Sequence, residues 1–204
     1  MKKLSVLLLL LVMFITGCSI KNLFVKENQK ENLMTGKINA VIDVKDYGVI
    51  KLELDADVAP ITVTNFVNLV DSKFYDGLTF HRIMKGFMIQ GGDPEHNGTG
   101  GSEKTIKGEF SSNGVENSIS HVRGVISMGR RSNDNNSASS QFFIVQEDST
   151  FLDGQYAAFG KVTEGMEVVD KIANDISPLA TDDNGTIPYE NQPVINSITI
   201  SRES

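Results

Sequence analysis

Apolar and polar residues alternate along Ile38 to Val44 and again along Val49 to Leu54, on either side of Asp46-Tyr47-Gly48. Period-two alternation is the pattern of a half-buried strand, and two such runs about a turn glycine predict a β-hairpin. The period then changes. After Ala59-Pro60, Val63, Phe66, Val67 and Val70 recur at helical spacing, with Pro60 where a first helical turn tolerates a missing N–H, so an amphipathic helix ending near Ser72 is expected. A second helix is predicted over Met166 to Asn174, where Met166, Val169 and Ile172 share one face after Gly165.

Between and beyond these helices lie short apolar runs at Leu78–Met84, Phe87–Gln90, Gly124–Met128, Phe142–Val145, Ala157–Val162 and Val194–Ile200, punctuated by Gly, Asn and Ser. Many short strands with such punctuation predict a mainly β fold, and a closed antiparallel barrel plugged by the two helices is the expected architecture. Two long glycine-, serine- and asparagine-rich connections, 91–108 and 130–140, are where a ligand surface is to be sought.

The N-terminus follows neither period. Lys2 and Lys3 precede a run from Leu4 to Ile15 broken only by Ser5, then Thr16-Gly17-Cys18. The run is short of the roughly 20 apolar residues that span a bilayer, and the charged, apolar and small-residue order is that of an export signal. Cys18 after Thr16-Gly17 resembles the lipobox of bacterial lipoproteins, in which the cysteine is lipidated. The plainer alternative is an uncleaved anchor helix. The expected organisation is a signal over 1–17, a lipidated N-terminus and polar flexible tether over 18–35, and a folded domain over 36–204. Cys18 is the only cysteine of 204 residues, so neither an internal disulfide nor a thiolate metal cage is available. A formal charge of −7 argues against a nucleic-acid partner.

Familiar catalytic signatures are missing. His81, His96 and His121 have no zinc-ligand spacing, and no Gly-x-Ser-x-Gly elbow occurs. Gly98-Thr99-Gly100-Gly101 lacks the Lys-Ser/Thr of a phosphate cradle and reads as a flexible loop. Asp182-Asp183-Asn184-Gly185 misses the calcium-loop spacing and reads as a solvated turn. No cofactor or metal is expected.

Five other blocks stand out: Phe80-His81-Arg82-Ile83, Phe87-Met88-Ile89-Gln90-Gly91-Gly92-Asp93, Gly124-Val125-Ile126-Ser127-Met128, Ser140-Gln141-Phe142-Phe143-Ile144 and Leu152-Asp153-Gly154-Gln155-Tyr156. In order and spacing they resemble the cyclophilin family of peptidyl-prolyl cis–trans isomerases, from about residue 38 to 201. The resemblance implies a closed barrel of eight antiparallel strands capped by two helices. It also implies acceleration of X-Pro isomerisation, which, taken with the export signal, is expected to act on proteins folding outside the cytoplasm. By the same resemblance Arg82 is the catalytic arginine and Gln90 the glutamine that orients it. Phe87, Met88, Phe143 and Leu152 correspond to the pocket for the proline ring, Tyr156 to its edge, and Gln141 to a hydrogen-bonding partner of the flanking peptide. His81, Gly129, Arg130 and Phe151 complete the implied substrate site.

Where many members carry Trp and His, this chain has Phe151 and Tyr156. Without an indole N–H, weak binding of cyclosporin is expected. Gly129-Arg130 and Ser139 also depart from commoner residues. A monomer that handles proline-containing polypeptides and meets the membrane through its lipid is the resulting expectation. The alternative is a non-catalytic module or holdase using the same groove.

Overall fold

The structure, a computed structural model, describes residues 33–201. The predicted signal, Cys18 and most of the tether lie outside those residues. Met34, at the end of the expected tether, is joined to the domain: its amide donates to Thr64 Oγ1 at 2.8 Å and its side chain packs on the core, and the Gly36 amide, at the start of the domain, donates to Asp57 Oδ1 at 2.7 Å.

The hairpin is present as β1 (Lys37–Val44) and β2 (Gly48–Asp55), paired from Lys37 opposite Asp55 to Val44 opposite Gly48. Ala40, Ile42, Val44, Ile50, Leu52 and Leu54 turn inward and are buried, as the alternation requires. Helix α1 (Pro60–Asp71) leaves the open end of the hairpin and buries Val63, Phe66, Val67 and Val70. Its N-terminal amides are capped from far along the chain. The buried carboxylate of Glu109 accepts from the Ile61 and Thr62 amides, at 3.0 and 2.8 Å, and from the Thr62 hydroxyl at 2.7 Å. A negative charge there also suits the helix dipole.

The remaining strands are β3 (Phe80–Met84), β4 (Met88–Gly91), β5 (Val125–Met128), β6 (Phe142–Val145), β7 (Ala158–Glu164) and β8 (Ile195–Ser201). Helix α2 (Met166–Ile176) runs two residues past its expected end, burying Ile176, and lies against the hairpin turn, where Lys171 Nζ sits 4.8 Å from the centre of the Tyr47 ring.

One antiparallel sheet runs in the order β3-β4-β6-β5-β7-β2-β1-β8. The expected closure fails: the sheet is an open half-barrel. Its end strands meet only near the start of β3, through the bridge of Thr79 with Val194 and bonds such as Phe80 N to Pro193 O at 3.0 Å. Further along, Gly185 and Ile187 take the free edge of β3: the Ile83 amide donates to Gly185 O and the Ile187 amide to His81 O, each at 2.9 Å. That edge is therefore occupied by a loop, leaving β8 no ladder to complete.

Candidate active site

Phe80 and Ile83 both point into the core, three residues apart, which a regular strand forbids. A bulge accounts for it. Phe80 pairs with Gly91 and Arg82 with Gln90, so His81 is an extra residue, and both His81 and Arg82 reach the outer side of the sheet. On β4 and β6 the regular alternation continues. Ile89, Phe142 and Ile144 join the main core, whereas Met88, Phe143 and Val145 form a smaller outer cluster with Val125, Leu152 and Ala158.

Over this outer cluster lies a groove of about 440 Å³. Phe87, Met88, Phe143, Leu152 and Tyr156 form its apolar part, with Arg82 and Gln90 along one side. Phe143 meets Tyr156 edge-on at 5.8 Å, and Phe87 packs at 5.6 Å, tilted by 33°, on Phe151, which is 66% exposed at the rim. Gly129 and Arg130 close another side. The Arg130 guanidinium lies 4.8 Å from the Tyr156 ring centre and donates through Nε to Gln155 O at 2.9 Å, so it braces the wall of the groove.

Arg82 is held at several points. Its Nη1 donates to Gln90 Oε1 at 3.0 Å and its Nε to Asn184 O at 2.7 Å, and its guanidinium carbon is 5.8 Å from the Phe87 ring centre. Partial burial lowers its pKa, while Tyr156 and Asp182 pull the other way, and guanidinium remains charged. The network continues through Gln90 Nε2 to Gln141 Oε1 at 2.8 Å, and through Gln141 Nε2 to Gly98 O and Gly100 O at 3.0 and 2.8 Å. Gln141 is thus engaged with the loop carbonyls and with Gln90. A second, polar cleft of about 240 Å³ opens beside it, between loops 98–102 and 129–131.

Two segments read as plain loops prove to be parts of the site. Gly98 to Gly101 is anchored by Asp93, which accepts from the Gly98 amide at 2.5 Å, and Gly101 leaves room for Ser139, whose Oγ would lie 2.2 Å from a Cβ there. The Asp182 turn supplies the carbonyl that grips Arg82. Gly185 completes it with φ 81°, its Cβ position only 2.6 Å from Ile83 O, so no larger residue fits. These contacts are long-range, and no local sequence signal announces them.

The histidines divide. His81 is 2% exposed in the groove floor and neither ring nitrogen has a hydrogen-bond partner; burial pushes its pKa down to about 4 against the pull of Asp93. His121 is 1% exposed and fully engaged: Nδ1 meets Asp153 Oδ1 at 2.8 Å, Nε2 meets Ser127 Oγ at 3.0 Å, and the ring stacks beside Phe143. Burial lowers the pKa of His121. Asp153 is held below the usual carboxylate range despite its own desolvation, by hydrogen bonds from Ser120 and from the backbone and ring of His121. The Asp153, His121 and Ser127 order is that of a hydrolytic triad, which sequence spacing did not disclose. Ser127 is wholly buried opposite Phe143 on β6, out of reach of any substrate carbonyl, so these bonds tie the groove floor to the turn carrying Leu152. Among the described residues no cluster of His, Cys, Asp and Glu is arranged to hold a metal.

Residues 40–202 match the family model described as Cyclophilin type peptidyl-prolyl cis-trans isomerase/CLD. The chain is 45% identical over 155 residues to peptidyl-prolyl cis-trans isomerase A of Dickeya dadantii, covering 72% of this chain and 74% of that protein. It is 44% identical over 131 residues to peptidyl-prolyl cis-trans isomerase B of Bacillus subtilis, covering 64% and 87%. Among solved structures, a cyclophilin type peptidyl-prolyl cis-trans isomerase from Cryptosporidium parvum superposes with a TM-score of 0.71 at 29% identity, over 83% of this chain and 100% of that one. The same protein solved in the presence of the dipeptide Ala-Pro gives a TM-score of 0.69 at 30% identity, over 81% and 99%.

Proposed function

This chain belongs to the cyclophilin family and is a peptidyl-prolyl cis–trans isomerase, and on that premise we propose that it turns X-Pro bonds in the groove between Arg82 and Phe143, as an exported, lipid-anchored enzyme. Rotation about an X-Pro bond faces a barrier of ~18–20 kcal/mol because amide resonance must be broken, yet no covalent bond forms or breaks. A site fitting the twisted bond better than either planar isomer is sufficient. The proline ring enters among Phe87, Met88, Phe143 and Leu152. Arg82, fixed by Gln90 and Asn184, donates to the proline carbonyl and to the lone pair that appears on the ring nitrogen as resonance is lost. No general acid, base or metal is needed.

The observation that carries this reading is the Arg82 guanidinium bonded to Gln90 at 3.0 Å beside an apolar pocket of matching chemistry. The Ala-Pro dipeptide present with the solved relative supports proline as the recognised residue. Arg82→Ala is expected to lower kcat/KM on a proline tetrapeptide by roughly 10²- to 10³-fold in a protease-coupled assay, the size typical of losing one preorganised electrostatic donor. An unchanged rate sinks the assignment.

Export and anchoring rest on the sequence of residues 1–18. Labelling cells with a fatty-acid analogue is expected to mark the wild type and leave Cys18→Ser unmarked. Anchored outside the cytoplasm, the enzyme meets newly exported chains, whose uncatalysed prolyl isomerisation takes ~10 to 100 s. Phe151 offers no N–H donor, and cyclosporin is expected to inhibit only weakly; nanomolar inhibition contradicts this.

A further inference from the structure

The groove continues beyond Arg82. Asn97 and Thr186 form its far rim and also wall a second depression of about 390 Å³, lined by Glu95, His96, Ile187, Tyr189 and Gln192. The His96 and Tyr189 rings pack on each other in a tilted contact, centroids 4.9 Å apart at 60°, and Tyr189 is 66% exposed although it is a large aromatic.

The walls rest on a buried polar frame. Gln192 Nε2 donates to His96 O at 2.9 Å and to Ile187 O at 2.8 Å, while Gln192 Oε1 accepts from Thr79 Oγ1 at 2.5 Å. Thr79 Oγ1 also meets His96 Nδ1 at 2.9 Å. The buried Asp93 carboxylate takes the amides of Glu95, Asn97 and Gly98, and the chain passes through His96 with a left-handed φ of 56°. On the other wall the Asn191 amide donates to Pro188 O at 2.9 Å and fixes the turn that begins at Tyr189. Hydrogen bonding is directed inward, so the His96–Tyr189 ring pair and the buried Ile187 make the apolar part of the depression, with Glu95 its one charged residue. That apolar part recognises an apolar side chain.

Chain direction follows from the proposed function, on which this inference rests. With Arg82 gripping the proline carbonyl, and the peptide before the proline directed toward Gln90, Gln141 and Gly129, the residues after the proline leave over Thr186. We propose that the depression lined by Ile187 and the His96–Tyr189 ring pair is a substrate subsite that holds a large apolar side chain shortly downstream of the isomerised proline. The enzyme then favours prolines followed by the aliphatic and aromatic residues that unfolded chains expose.

The test uses the full chain and peptides with alanine at the four positions after proline, into which leucine, lysine or serine is placed one position at a time. Partial burial of a leucine side chain is expected to raise kcat/KM about five- to tenfold over serine at one of these positions. Tyr189→Ser is expected to abolish that ratio and Tyr189→Phe to keep it, since the ring face and not the hydroxyl makes the contact. No leucine preference in the wild type, a preference for lysine, or a ratio that survives Tyr189→Ser overturns the subsite. Acceleration without preference removes the subsite alone, whereas a wild type that accelerates no peptide removes the groove reading beneath it.

Discussion

Phe142 and Phe143 are neighbours on one strand with opposite tasks. Phe142 faces inward and meets Phe66, Tyr75 and Phe80 edge-on at 5.7, 5.6 and 6.1 Å. Phe143 faces outward and forms the groove floor with Met88 and Leu152. The inner side of these strands is apolar aromatic packing, while the outer side mixes rings with Arg82, Gln90 and two buried histidines. Stability is concentrated on one face of the sheet and recognition on the other, so substitutions one residue apart are expected to separate them.

Phe142→Ala is expected to have the largest effect on stability, a loss of about 3–5 kcal/mol in urea unfolding, because it opens a cavity among rings that cannot collapse into it. A loss under about 1 kcal/mol would show that the inner face is less tightly packed than described. His81 offers the next test, from the outer face. Its pKa of about 4 in the folded chain lies below the unfolded value near 6.5, so between the two the unfolded state binds more protons. Stability is therefore complete above pH 6.5 and declines as pH falls toward 4, by on the order of 3 kcal/mol for this group. His81→Phe is expected to remove that part of the acid decline, seen by comparing unfolding at pH 7 and pH 4.5; an identical decline in both proteins refutes the assignment.

Phe143→Leu is expected to keep the fold, with a stability change of roughly 1 kcal/mol, while lowering kcat/KM about tenfold as the flat floor under the proline is lost. Equal behaviour of Phe142→Leu and Phe143→Leu in both assays would erase the distinction between the faces. The smallest effect is expected from His81→Phe at pH 7, a gain of about 1 kcal/mol, since it replaces a buried ring whose nitrogens have no partner.

Much of this was legible along the chain because it is local. Alternation placed β1 and β2, the proline at position 60 placed the start of α1, and the five blocks contained Arg82, Gln90 and all of Phe87, Met88, Phe143, Leu152 and Tyr156, while Phe151 immediately precedes the last of them. The bulge also left a trace: Phe80 and Ile83 are apolar at a spacing of three inside a strand. The rest depends on distant partners. Glu109 caps a helix nearly fifty residues away, Asn184 reaches Arg82 across 102 positions, and the edge that prevents closure is occupied by a loop that composition describes only as polar. The helix α2 boundary slipped by two residues because Ile176 continues the buried stripe beyond Asn174.

The first and last strands lie side by side, with Asn39 opposite Ser201. Both ends of the folded domain therefore leave from the same end of one antiparallel pair. Force applied between them loads the ladder one hydrogen bond at a time, as in opening a zipper, whereas shear would load all of them together. An enzyme held by its N-terminus alone never carries that load, but one pulled by both ends is expected to lose β8 first, at low force, before the strands that carry the groove feel any strain.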